Sequence, residues 1–133
     1  MKVLVVGDDL MQALDIMDAL VSGGHAPVGP ALDGMGAMHF AERCQPDLAL
    51  VDLLLPDGEQ GLDIVRELHT RFGVPALFLA ASCEEARACG SCALGCIQKP
   101  IYETMLLRSI TAAEQIVNGQ HPHAMPGNVE LFQ

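Results

Sequence analysis

The sequence predicts an α/β fold, a doubly wound five-stranded parallel sheet with helices on both faces. Three observations predict it. Short aliphatic runs alternate with helical stripes along almost the whole chain. The runs are apolar at successive positions, as in strands buried on both faces, rather than alternating as in a half-exposed antiparallel sheet. The chain has 133 residues, half of them hydrophobic, which suits one domain with a substantial core.

The elements follow in order. Lys2 to Val6 is a short β-branched run that stops at Gly7. Leu10, Leu14, Met17 and Val21 recur at helical spacing, Asp9 is placed to cap that helix, and Gly23 and Gly24 end it. Ala26 to Ala31 carries Pro27 and Pro30 and is at best a short or edge strand. Gly34 to Arg43 is a helix with Met35, Met38 and Ala41 on one side, broken by Pro46. Leu48 to Val51 is a buried strand ending at Asp52, and a loop rich in Pro, Gly and acid runs to Gly61. Leu62, Val65, Leu68 and Phe72 form the next helical stripe, closed by Gly73. Pro75 to Ala80 is a fourth strand, Glu84 to Gly90 a short helix, and Leu94 to Gln98 a fifth strand stopped by Lys99 and Pro100. Met105, Leu106, Ile110, Ala113 and Val117 mark the last helix, closed by Asn118 and Gly119.

Composition excludes several function classes. The formal net charge is −10, with 17 acids against 7 Lys and Arg. Nucleic acids and anionic membrane surfaces both need a basic face, so neither is an expected partner. No apolar run reaches the roughly 18 residues of a membrane span, and Met1 to Val6 is too short for a signal peptide. Mean hydropathy is +0.31, which argues against disorder. The five cysteines, Cys44, Cys83, Cys89, Cys92 and Cys96, are an odd number without a secretory signal. A cytoplasmic, reducing location is the expectation.

In open parallel sheets ligands sit beyond the carboxyl ends of the strands, where strand order reverses. The strand ends here carry Asp8 and Asp9, Asp52, Ala80 with Ala81 and Ser82, and Lys99. Carboxylates that share an edge resist ionising together, and a hard divalent cation, Mg2+, resolves the conflict. An ammonium beside them suits a transferred anionic group. Such a set can host an aspartyl phosphate, with a carboxylate nucleophile, a metal and a lysine. No Gly-rich phosphate loop follows the first strand, which argues against an unrelated flavodoxin-like ligand binder.

These residues identify a resemblance. From Lys2 to Val117 the chain resembles the receiver domain of bacterial two-component response regulators, a flavodoxin-like fold. The resemblance rests on the acid pair after the first strand, Val51-Asp52 followed by Pro56 and a Gly58-x-x-Gly61 turn, and Lys99-Pro100. It implies a receiver domain over residues 1–118 and a flexible tail over 119–133. It implies Asp52 as phosphoacceptor, supplied by a sensor histidine kinase or a phosphotransfer protein. It also implies Mg2+ held by Asp8, Asp52 and the Leu54 carbonyl, and Lys99 as the phosphate contact. No separate catalytic activity is expected beyond Mg2+-dependent autophosphorylation and autodephosphorylation. Only about fourteen residues follow the last helix, so the expectation is a stand-alone receiver that signals by docking to a downstream protein. Tyr102, Glu103 and Arg108 on the last helix could support a homodimer.

Three departures from the family pattern stand out. The two acids expected directly after the first strand are Gly7 and Asp8; Asp9 lies one place later, where it either caps the helix or partly substitutes as a metal ligand. The hydroxyl residue expected at the end of the fourth strand is Ala80. The aromatic switch residue expected three before the lysine is Cys96. They leave open a second reading, a degenerate receiver acting as a phosphorylation-independent protein-binding module. Four cysteines within Cys83 to Cys96 could in principle bind zinc or respond to oxidants. Cys83 to Cys92 is expected on a short helix and Cys96 on a buried strand, so convergence is not expected, and the thiols read as small apolar gap fillers.

Overall fold

The computed structural model describes residues 1–53, 61–87, 92–120 and 129–132. Strands and helices alternate as β1 (Lys2–Val6), α1 (Leu10–Ser22), β2 (Ala26–Ala31), α2 (Gly34–Cys44), β3 (Leu48–Asp52), α3 (Gly61–Phe72), β4 (Ala76–Ala80), α4 (Glu84–Arg87), β5 (Gly95–Gln98), α5 (Glu103–Val117) and β6 (Val129–Leu131). The sheet runs β2-β1-β3-β4-β5-β6. The pairs from β2 to β5 are parallel. Strand order reverses at β1, whose neighbours are β2 and β3.

The doubly wound α/β expectation holds, and the sheet explains why the strand runs are apolar throughout. Every residue of β3 and β4 is buried, because each strand faces a core on both sides. One core joins Leu4, Val51 and Phe78 to α2, α3 and α4 through Met38, Val65, Leu68 and Ala86. The other joins Val5, Leu50 and Leu79 to α1 and α5 through Ile16, Leu20, Leu106 and Ile110. β2, with its two prolines, is an edge strand as expected. Among the described residues no helix is long and apolar enough to cross a membrane.

The phase of α1 differs from the stripe predicted above. Its buried residues are Ala13, Ile16, Ala19 and Leu20, whereas Leu10, Leu14 and Val21 are 50%, 43% and 62% exposed. Apolar residues lie on both sides of this helix, so spacing alone admits two stripes. Packing against the sheet and α5 selects the one with the smaller alanines. Met35 is likewise exposed on α2.

The expected count of five strands is corrected to six. Residues 129–131, expected in a flexible tail, pair antiparallel with β5. The β5 edge offers unpaired backbone groups, and Gly95 leaves room for the added strand. A Cβ at Gly95 would run into the Glu130 carbonyl oxygen. The Phe132 amide donates to the Leu94 carbonyl at 2.8 Å, and Arg87 clasps the Glu130 carboxylate with two hydrogen bonds of 2.5 and 2.7 Å. A three-residue strand is too short for a period-2 signal, so the sequence hides it.

The starts of α1 and α2 are fixed by acids. The Asp9 side chain accepts from the Gln12 amide at 3.1 Å, and the Asp33 side chain accepts from the Gly36 amide at 2.8 Å. Asp33→Ala is expected to lower the unfolding free energy by about 1 kcal/mol, read by urea denaturation, since a capping carboxylate satisfies an otherwise orphaned N–H.

Candidate functional site

The reversal of strand order places the carboxyl ends of β1 and β3 side by side. Asp52 is the last residue of β3 and is 5% exposed. Lys99 follows β5, two strands away, and its side chain reaches back across the end of β4. The Lys99 ammonium donates to Asp52 Oδ1 at 3.0 Å and Oδ2 at 3.1 Å. Two backbone bonds hold this edge: Leu53 donates to the Leu79 carbonyl at 3.0 Å, and Lys99 donates to the Ala80 carbonyl at 2.7 Å.

Above these ends lies a cleft of about 450 Å³ bordered by Asp8, Asp9, Asp52, Ala80, Ser82 and Lys99. A larger groove, about 580 Å³, runs between α1 and the start of α5 and shares Asp9 with it. The smaller cleft holds the chemistry, because there a buried carboxylate meets an ammonium. The predicted residues Asp8, Asp9, Asp52, Ala80 and Lys99 come together there. Leu54 lies outside the described residues.

Burial pushes the Asp52 carboxyl above the ordinary carboxylate value. The Lys99 hydrogen bond and charge act against that rise, and the negative charges of Asp8 and Asp9 add to it. The carboxylate is therefore held short of full relief by one ammonium. Asp9 spends one oxygen on the α1 cap and still contributes charge to the cleft. Gly7 stands where the resemblance expects the first acid. A Cβ there would lie 3.5 Å from Asp52 Oδ2, so that position faces the Asp52 carboxylate and carries no side chain.

Among the described residues no three acidic, His or Cys groups form a metal-holding cluster. The donor chemistry nevertheless fits Mg2+, which takes one or two carboxylates and completes its shell with water and phosphate oxygens. Asp8 and Asp52, which border the same cleft, would supply those two.

Two structural features go beyond the sequence reading. Gly61, at the start of α3, packs directly on the backbone of Asp52 and Leu53, and its amide donates to the Leu53 carbonyl at 2.8 Å. The closing glycine of the turn after Asp52 was the available signal. The second is a disulfide between Cys83 and Cys96, with Cα atoms 5.8 Å apart. This corrects the expectation that the cysteines only fill gaps and do not converge. β4 and β5 are adjacent strands, and the segment after Ala80 folds back over β5, which brings residues 13 apart in sequence together. Ala80 is buried at the cleft wall, and Cys96, bonded to Cys83, has no freedom to swing as an aromatic switch would.

Residues 3–111 match the family model described as the response regulator receiver domain. The transcriptional regulatory protein PdtaR of Mycobacterium tuberculosis is 30% identical over 117 residues, covering 84% of this chain and 56% of PdtaR. The DNA-binding response regulator MtrA of the same species is 35% identical over 80 residues, 60% of this chain and 34% of MtrA. The chain thus spans about half the length of these curated relatives, or less. Among solved structures, the signal receiver domain of a modulated diguanylate cyclase from Desulfovibrio desulfuricans superposes with a TM-score of 0.77 at 26% identity, covering 88% of this chain and 95% of that one. The anti-anti-sigma factor PhyR of Bartonella quintana gives a TM-score of 0.71 at 25% identity, covering 89% of this chain and 50% of that one.

Proposed function

Because the chain belongs to the response regulator receiver domain family, we propose that it accepts a phosphoryl group on Asp52 from the phosphohistidine of a sensor kinase or phosphotransfer protein. The observation that carries this reading is the buried Asp52 carboxylate held by the Lys99 ammonium in a cleft of further acids. An Asp52 oxygen attacks phosphorus, the donor's N–P bond breaks, and the electron pair leaves with the imidazole. Lys99 then exchanges its carboxylate oxygens for phosphoryl oxygens. Asp8 and Asp52 would hold Mg2+, which supplies charge neutralisation of the phosphoryl group. Asp9 caps α1 and adds negative charge. The Ala80 methyl offers the phosphoryl group no hydroxyl, so Ser82, at the cleft rim, is the nearest hydroxyl on that wall.

The second reading is a phosphorylation-independent binding module. It is favoured by Ala80 and by the bonded Cys96, which together remove the ordinary relay from phosphate to output face.

Incubation with MgCl2 and acetyl phosphate, followed by intact mass, separates the two. A gain of one phosphoryl group, lost when EDTA replaces MgCl2, is the expected result. No gain from acetyl phosphate or from a phosphorylated histidine donor, with a silent beryllofluoride titration, overturns the proposal in favour of the binding module.

A further inference from the structure

We propose that Cys83 and Cys96 form a reversible thiol–disulfide couple, a redox modification site whose state decides whether β6 stays docked on β5. The inference stands apart from phosphoryl chemistry and uses neither Asp52 nor Lys99.

The bridge joins the two halves of the seat that holds β6. Cys96 lies in β5 directly opposite Glu130 in the antiparallel register. Cys83 leads into α4, and its carbonyl accepts from the Arg87 amide at 3.2 Å. Arg87 in turn makes the two hydrogen bonds to the Glu130 carboxylate. One covalent link therefore fixes both the strand beneath β6 and the arginine beside it. The Arg87–Glu130 pair is solvent-exposed and weak in isolation. Opening the bridge releases the turn, the arginine with it, and then the strand.

Access to the bond is one-sided. Cys96 is fully buried, whereas Cys83 borders a cleft of about 430 Å³ that also meets Arg87, Gln98 and Glu130. A dithiol reductant, as its thiolate, attacks the Cys83 sulfur from that cleft. The S–S bond breaks, and Cys96 leaves as a thiolate that takes a proton. The reductant's second thiol then attacks the mixed disulfide, frees Cys83 as a thiol and departs as the reductant's own disulfide. In the other direction a hydroperoxide converts the Cys83 thiolate to a sulfenic acid with loss of the corresponding alcohol or water. The Cys96 thiol displaces water from it and closes the bond.

The test uses the full chain, oxidised with hydrogen peroxide or reduced with dithiothreitol, then alkylated in denaturant. Cys92 also lies in a disulfide, so peptides are mapped after cleavage at Arg87 and Leu94 rather than thiols counted. The expected result is a Cys83–Cys96 cross-linked peptide in the oxidised chain and alkylation of both residues in the reduced chain. Hydrogen exchange of the amides at 129–132 is expected to be about tenfold faster in the reduced chain, as for a strand opening locally. Cys83→Ser should show the fast exchange with or without peroxide. If it fails to fold, the two states of the unmodified chain carry the comparison. Cys83 or Cys96 found alkylated or bonded elsewhere in the oxidised chain overturns the proposal, as does resistance of the bond to dithiothreitol under native conditions or equal exchange in the two states.

Discussion

Asp52→Asn is expected to abolish phosphoryl uptake and to raise the melting temperature at neutral pH. The amide is no nucleophile toward phosphorus, so the adduct disappears entirely. The stability gain follows from the environment of Asp52. Its carboxyl is held above the ordinary value, chiefly by burial, so the folded chain binds that proton more tightly than the unfolded chain. The resulting stabilisation is complete below the ordinary aspartate value and is lost as pH rises through the raised one. At neutral pH the ionised group is a net cost, which asparagine removes. Lys99 loses its anionic partner, but its side chain is 31% exposed and reaches water. The gain is expected to be on the order of 1 kcal/mol, a few degrees in Tm, and to shrink as pH falls into the carboxylate range. Thermal melts from pH 3 to 8 with intact mass alongside read both effects. An adduct that survives the substitution would place phosphorylation on another residue, and a variant less stable than the parent at neutral pH would mean that the Lys99 pair outweighs burial.

Gly61→Ala is expected to cost about 3 kcal/mol and to depress phosphoryl uptake together with stability. A Cβ at Gly61 would meet the Asp52 carbonyl oxygen and the Cα and carbonyl oxygen of Leu53. All three are backbone atoms at the strand end that carries Asp52, with no flexible tip to give way. Overpacking of this kind costs about 1–3 kcal/mol and sometimes more. Relief requires α3 to back away from β3, which moves Asp52 relative to Lys99. Urea unfolding with adduct yield per folded molecule measures both. Unchanged stability would mean that α3 absorbs the extra carbon without moving the strand.

Much of the fold was legible because burial on both faces leaves a local trace. The runs Val3–Val6, Leu48–Val51 and Ala76–Ala80 are apolar at every position, which a strand shows only when both sides meet a core. Asp9 was legible as a helix start because a cap bonds an amide three residues on. Asp8, Asp52 and Lys99 could be grouped from sequence because parallel strands all point their carboxyl ends to one edge.

What the sequence alone determined, then, is whatever depends on the residue and its near neighbours. It set the order and type of the elements, the apolar strands, and the edge where the carboxylates and the lysine gather. Tertiary structure decided what depends on a partner distant in the chain. The face of α1 that is buried was one such matter, since Leu10, Leu14 and Val21 are as apolar as Ile16 and Leu20 and only the space against the sheet and α5 distinguishes them. The docking of Val129–Leu131 on β5 depends on an open edge and on the missing side chain of Gly95. The Cys83–Cys96 bond depends on the fold-back after β4. In each case many partners satisfy the local chemistry, and packing at close range selects one because overlapping atoms and unpaired backbone groups exclude the rest.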